Sequence, residues 1–125
     1  MPNIVVQGYR FHYLEHVGDG VPVLLLCSTG LDSRQWNDLL PMLGNRGVIC
    51  LHYLCYPMTD SWTGEGEIDS SLDYDAAEVL LLNQREPIDI IAHSYGGFIA
   101  LRLAKKHPDR IRRIAIHEPT VWGCL

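Results

Sequence analysis

Apolar and polar positions along the chain follow two alternating periods. Residues 3–7 and 9–16 place apolar side chains at a spacing near two on either side of Gly8, which predicts two short strands joined as an antiparallel hairpin. Residues 23–27 are instead an unbroken aliphatic run of strand length, the pattern of a central strand buried on both faces. A turn through Thr29, Gly30, Leu31, Asp32 and Ser33 follows, and then Trp36, Leu39, Leu40 and Leu43 recur at helical spacing, with Pro41 expected to kink that helix near its end. Residues 48–54 read as a further strand. The loop from Tyr56 to about residue 69 contains Pro57, Gly64 and Gly66, and loops of this length are usually functional or mobile. Ser70 with Asp73 three residues on fits a capping box opening a helix whose Leu72, Ala76, Val79, Leu80 and Leu82 can face a sheet. That helix ends before Pro87. Residues 88–92 are the next strand, 93–97 a sharp turn, 98–107 a helix stopped by Pro108, and 111–117 a last strand. The alternation predicts an α/β fold, a mostly parallel sheet with helices on both faces, built from about six strands and about three helices.

Composition narrows the class of protein. A chain of 125 residues that is 47% hydrophobic and 20% charged forms one globular domain at most, and disorder is excluded. The net charge of −5 provides no positive field for a phosphate backbone or an anionic lipid surface, so no nucleic-acid partner is expected. Arg102, Lys105, Lys106, Arg110, Arg112 and Arg113 crowd one stretch, which could bind phosphate but reads more simply as a solvated helix end favoured by the dipole. The densest apolar run, residues 21–27, is far short of a membrane span, and the start Met1-Pro2-Asn3 lacks the basic and apolar segments of a secretory signal; a cytoplasmic location without membrane contact is expected. In that setting Cys27, Cys50, Cys55 and Cys124 are expected as reduced thiols, and their spacing matches no zinc site.

The chemistry concentrates at Ala92-His93-Ser94-Tyr95-Gly96-Gly97. This segment joins a strand directly to a helix, so the chain must reverse within a few residues while lifting one side chain out of the turn. Small residues at Ala92 and Gly96 let the backbone pass close to its neighbours, and Ser94 would sit strained at a helix N-terminus with its hydroxyl exposed. The Tyr95 amide would then point where an oxyanion forms, in a field that favours negative charge.

These residues resemble the nucleophile elbow, Gly-x-Ser-x-Gly, of the α/β-hydrolase family. The resemblance extends over nearly the whole chain. Leu24-Leu25-Leu26-Cys27-Ser28-Thr29-Gly30-Leu31-Asp32-Ser33-Arg34-Gln35-Trp36 is similar to the family's third strand, oxyanion loop and first helix; Ser71-Leu72-Asp73-Tyr74-Asp75-Ala76-Ala77-Glu78-Val79 resembles the helix before the elbow; and Ile111-Arg112-Arg113-Ile114-Ala115-Ile116-His117-Glu118-Pro119 resembles the strand after it. The resemblance implies a cofactor-free serine hydrolase of esterase, lipase or lactonase type acting on a small-molecule acyl substrate. Ser94 would be its nucleophile, and the amides of Tyr95 and Thr29 its oxyanion donors. Ala92 stands where the family has the elbow's first Gly, and Cys27-Ser28 where it usually has His-Gly.

The family's acid and histidine lie on loops after two later strands. Residues 1–125 therefore correspond to the first strands through the strand after the elbow, an incomplete domain, since the whole fold needs on the order of 200 to 250 residues. Of the six histidines, His93 adjoins Ser94 but leaves the turn in another direction and reads as turn packing. His117-Glu118 could be imagined as a makeshift base and acid, the plainer reading being a strand-end His and a loop Glu. Ile114 and Ile116 would lie along an uncovered sheet edge, a template for self-association. The alternative to an enzyme is a short relative without catalysis, serving as a binding or oligomerising module. Dinucleotide binding finds no Gly-x-Gly-x-x-Gly after any strand.

Overall fold

β3 (Val23–Leu26) lies in the interior of a six-stranded sheet in the computed structural model, and each of its four side chains is fully buried. The structure describes residues 2–66, 68 and 70–120. The other strands are β1 (Asn3–Val6), β2 (Tyr9–His16), β4 (Val48–Leu51), β5 (Ile88–His93) and β6 (Ile111–His117). Their order across the sheet is β1-β2-β4-β3-β5-β6, with β4, β3, β5 and β6 parallel and β2 antiparallel to both β1 and β4. The continuous aliphatic runs form the centre because Leu24 pairs with Ile49 on one side and Ile90 on the other, so apolar residues line both faces. The β1–β2 hairpin turns through Gln7 and Gly8 at φ of 49° and 84°, the two-residue loop with both positions left-handed for which Gly8 is suited.

Two α-helices accompany the sheet, α1 (Ser71–Leu82) and α2 (Tyr95–Lys106). They touch each other, and α2 also packs on β3, β5 and β6. The helix expected around Trp36 is instead two short 3₁₀ turns, Ser33–Trp36 and Leu40–Leu43. Pro41, at the start of the second turn, has no N–H to give and a ring that clashes with the preceding turn, so a continuous α-helix cannot run through it. Trp36 is buried nonetheless, its indole N–H donating to Cys27 Sγ at 3.2 Å.

The capping box at Ser70 does not form. Ser70 has helical backbone angles and no side-chain cap bond, and Asp73 turns inward instead. Leu72, Ala76 and Leu80 are buried as their spacing predicts, whereas Leu82 is exposed. β4 ends at Leu51, three residues before the apolar run does. Much of the basic stretch is engaged within the fold: Arg112 pairs with Asp89, Lys106 with Glu78, Arg110 donates to the Gln84 carbonyl, and Arg102 lies over the Tyr74 ring. Cys27, Cys50 and Cys55 are free thiols, and Cys124 lies outside the described residues. Among the described residues no helix is long and apolar enough to cross a membrane.

The path of the chain creates a topological switch point. From β3 it moves to β4 on one side, then returns past β3 to β5 on the other. The loops leaving the carboxyl ends of β3 and β5 thus diverge in opposite directions, the switch point at which open α/β sheets bind ligands. Thr29 stands on one of these loops and Ser94 on the other.

Candidate active site

Ser94 has φ of 51° and ψ of −112°, a conformation in which a residue with a Cβ is strained. Its backbone is held from several directions. The Ser94 N–H donates to the His117 carbonyl at 3.0 Å, and its own carbonyl accepts from Gly97 at 2.9 Å, Phe98 at 3.3 Å and Thr120 at 3.2 Å. The end of β6 and the first turn of α2 therefore hold the strained angle jointly. Helix α2 begins at Tyr95, three residues earlier than its hydrophobic pattern suggests, so Gly96 and Gly97 lie inside it. Gly96 is required by close approach: a Cβ there would collide with the Leu26 carbonyl and lie 2.8 Å from the Cys27 oxygen. Ala92, the other small residue of the turn, is buried in β5 opposite Leu26 and Ile116, so its methyl fits where the family pattern has Gly.

The half-buried Ser94 hydroxyl lies 3.0 Å from Thr120 Oγ1. Among the described residues no imidazole hydrogen-bonds to it. Thr120, which the sequence did not single out, reaches Ser94 because the chain turns back after β6 at Glu118, where φ is 48°.

On the facing loop, three consecutive amides behave differently. Ser28 N–H donates to Gln35 Oε1 at 3.0 Å, and Gly30 N–H donates to the Tyr56 hydroxyl. Among the described residues no acceptor takes the Thr29 amide, which lies between these two tethered neighbours. The Tyr95 amide opens α2, and the first amides of a helix have no intrahelical acceptor.

Tyr95's side chain points away from the turn. Its hydroxyl donates to Asp73 Oδ2 at 2.7 Å, its ring meets Tyr53 edge-on with centroids 5.1 Å apart, and the Asp73 Oδ1 accepts from Leu54 N–H at 2.9 Å. Burial raises the Asp73 carboxyl above the usual carboxylate range, opposed by these two hydrogen bonds. Burial, with Asp73 beside it, also pushes the Tyr95 phenol far up, so it stays a donor. Beside them a cavity of about 330 Å³ is bordered by Thr29, Tyr53, Tyr56, Ile68, Asp73 and Tyr95, among others.

His93 packs its ring against His117, centroids 5.2 Å apart, and its Nδ1 lies 2.6 Å from Gln35 Nε2. His117 and Glu118 are themselves exposed, 3.6 Å apart, and ligand atoms of His93, His117 and Glu118 lie within 4.8 Å of one another. The hydrogen bonds oppose a cation there. Since Gln35 uses Oε1 for Ser28, its NH₂ group faces Nδ1, and the ring hydrogen must sit on Nε2; neither nitrogen of His93 keeps a lone pair to offer.

The sequence profile of the alpha/beta hydrolase fold matches residues 22–123, and the chain belongs to that family. It is similar to a pimeloyl-[acyl-carrier protein] methyl ester esterase of Aeromonas hydrophila, 29% identical over 81% of this chain and 39% of that protein. It is also 34% identical to lipase LipV of Mycobacterium tuberculosis, over 87% of this chain and 42% of the lipase. Among solved structures, haloalkane dehalogenase DatA of Agrobacterium tumefaciens superposes with a TM-score of 0.81 at 21% identity, over 96% of this chain and 41% of DatA. The chain thus spans less than half the length of the relatives it matches. Their activities differ, ester cleavage in one and dehalogenation in another, so membership of the family leaves the reaction to the side chains at the site.

Proposed function

We propose that this chain carries the nucleophile and oxyanion half of a serine hydrolase acting on a carboxylic ester or a similar small acyl substrate, without a cofactor. The observation that supports it most is the strained Ser94 between β5 and α2, beside the first amide of a helix and across the switch-point crevice from the unspent Thr29 amide. Ser94 Oγ would add to the substrate carbonyl carbon, its proton passing to a base while the carbonyl oxygen takes the negative charge. Tyr95 and Thr29 amides would receive that oxygen, and one such donor is typically worth about 3 kcal/mol in the transition state. Collapse would expel the alcohol, and water would then cleave the acyl-serine to the carboxylic acid and regenerate Ser94. The helix dipole of α2 favours the same charge. The base would be a histidine that the family resemblance puts after a later strand, so residues 1–125 by themselves should acylate slowly and turn over poorly.

A fluorophosphonate probe tests this directly. The folded chain should label slowly at Ser94, and Ser94→Ala should abolish the label. A folded chain that takes no label would instead favour a binding or oligomerising module. The Ser94 hydroxyl pairing with Thr120 rather than with an imidazole is the observation on that side.

A further inference from the structure

The Gln35 side chain hydrogen-bonds both within the loop after β3 and to the elbow after β5. Its Oε1 accepts the Ser28 N–H at 3.0 Å and its Nε2 lies 2.6 Å from His93 Nδ1. Ser28 immediately precedes Thr29, and His93 immediately precedes Ser94. A single planar amide therefore spans the residues adjacent to Thr29 and Ser94, the proposed oxyanion donor and nucleophile. Gln35 is itself held firmly. It lies in the Ser33–Trp36 turn, which Asp32 caps through the Arg34 amide at 2.9 Å, its own N–H bonds the Asp32 carbonyl at 3.0 Å, and the next residue, Trp36, is anchored on Cys27 Sγ. Gly30 is tied separately to Tyr56, so the Thr29 amide lies between two fixed points.

We infer that Gln35 is a positioning residue of the acyl-transfer site: its two hydrogen bonds set the distance and orientation of the Thr29 amide relative to the Ser94 hydroxyl. This rests on the serine-hydrolase reading and adds to it the residue that holds the site's two loops in register. The amide suits the task because it has one accepting and one donating end. Oε1 meets a backbone N–H, the NH₂ meets an imidazole lone pair, and as a consequence His93 is held with its hydrogen on Nε2. Leu or Met at this position would fill similar volume but supply neither end. Glu would keep the bond to Ser28, but it would accept at both ends and demand the hydrogen on His93 Nδ1.

Three measurements on the 125-residue chain test the inference. Long-range ¹H–¹⁵N spectra of the neutral His93 ring should show an unprotonated Nδ1 and a protonated Nε2, with the assignment reversed in Gln35→Glu. Phosphonylation of Ser94 should slow by on the order of tenfold to a hundredfold in Gln35→Leu, the usual cost of a small misplacement between reacting groups, while its circular dichroism and thermal unfolding stay those of a folded chain. Ser28 amide exchange should accelerate in Gln35→Leu, and Gln35→Glu should label at a rate nearer to that of the parent chain. A parent His93 with its hydrogen on Nδ1, or a folded Gln35→Leu chain labelled at the parent rate, would overturn the inference. Should Gln35→Leu fail to fold, the parent tautomer and the Gln35→Glu spectrum and labelling rate decide. Failure of the hydrolase reading has a different signature: no label at Ser94 in the parent chain even though the tautomer is as described. The positioning role would then be lost with it.

Discussion

At Ser94 the backbone holds an angle that suits glycine, and four backbone hydrogen bonds, with His117, Gly97, Phe98 and Thr120, keep it there. Ser94→Gly and Ser94→Ala should both remove the hydroxyl proposed as the nucleophile, yet differ in stability. Glycine relieves the conformational strain whereas alanine keeps it, so Ser94→Gly should be the more stable by about 1 kcal/mol, measured by urea denaturation of the two variants. Ala92, Gly96 and the serine itself were legible in the sequence, because the demand for small residues around a strand-to-helix reversal involves only immediate neighbours. Gln35, Thr120 and Asp73 as a site residue were not. Their partners lie 58, 26 and 22 residues away along the chain, and no local spacing encodes such pairings.

Among the elements, β5 does most to position the site, and its amino-terminal end has its own electrostatic clamp. The Asp89 carboxylate is largely buried, accepts from Arg112 at 2.7 and 2.9 Å, and pairs with Arg46 at 2.6 Å. The hydrogen bonds from Arg112, with the one from Arg46, outweigh burial and lower its pKa to about 2 from 3.8. Because the folded value lies below the unfolded one, this contribution is complete at neutral pH and is lost as the pH falls from about 4 towards about 2. Asp89→Asn should cost about 1 to 2 kcal/mol near pH 7, discounted for the half-exposed Arg112 partner. The difference from the parent chain should vanish in acid, which denaturation at a series of pH values would measure. The helix expected around Trp36 shows the limit of pattern reading at this scale. Its apolar spacing is helical, but Pro41 and the demands of Trp36 and Gln35 on their partners break it into two 3₁₀ turns.

Over the whole molecule, β6 is the last strand of the sheet as described, and Ile114 and Ile116 are only half-buried along it. A sheet edge with open backbone groups and apolar side chains is a template for pairing, tempered here by the charged neighbours Arg112 and Arg113. We expect the 125-residue chain to self-associate through this edge as its concentration rises. Light scattering coupled to gel filtration should show species larger than the monomer, reduced in Ile114→Lys; a parent chain that stays monomeric at high concentration would count against this edge as an association surface. The topology also sets which groups meet: Ser94 and Thr29 come from the loops at the switch point, and under the proposed reading the base would come from a later strand.

Periodicity, the position of small residues and the reversal at Ser94 were set by the sequence alone, because strand burial and turn sterics act over a few neighbouring residues. Only the tertiary structure decided which amides of the β3 loop are spent, that Asp73 serves Tyr95 instead of a helix cap, and that Gln35 spans the crevice. Those outcomes depend on sheet register, which brings distant polar groups within hydrogen-bond reach and leaves each buried donor and acceptor to find its partner there.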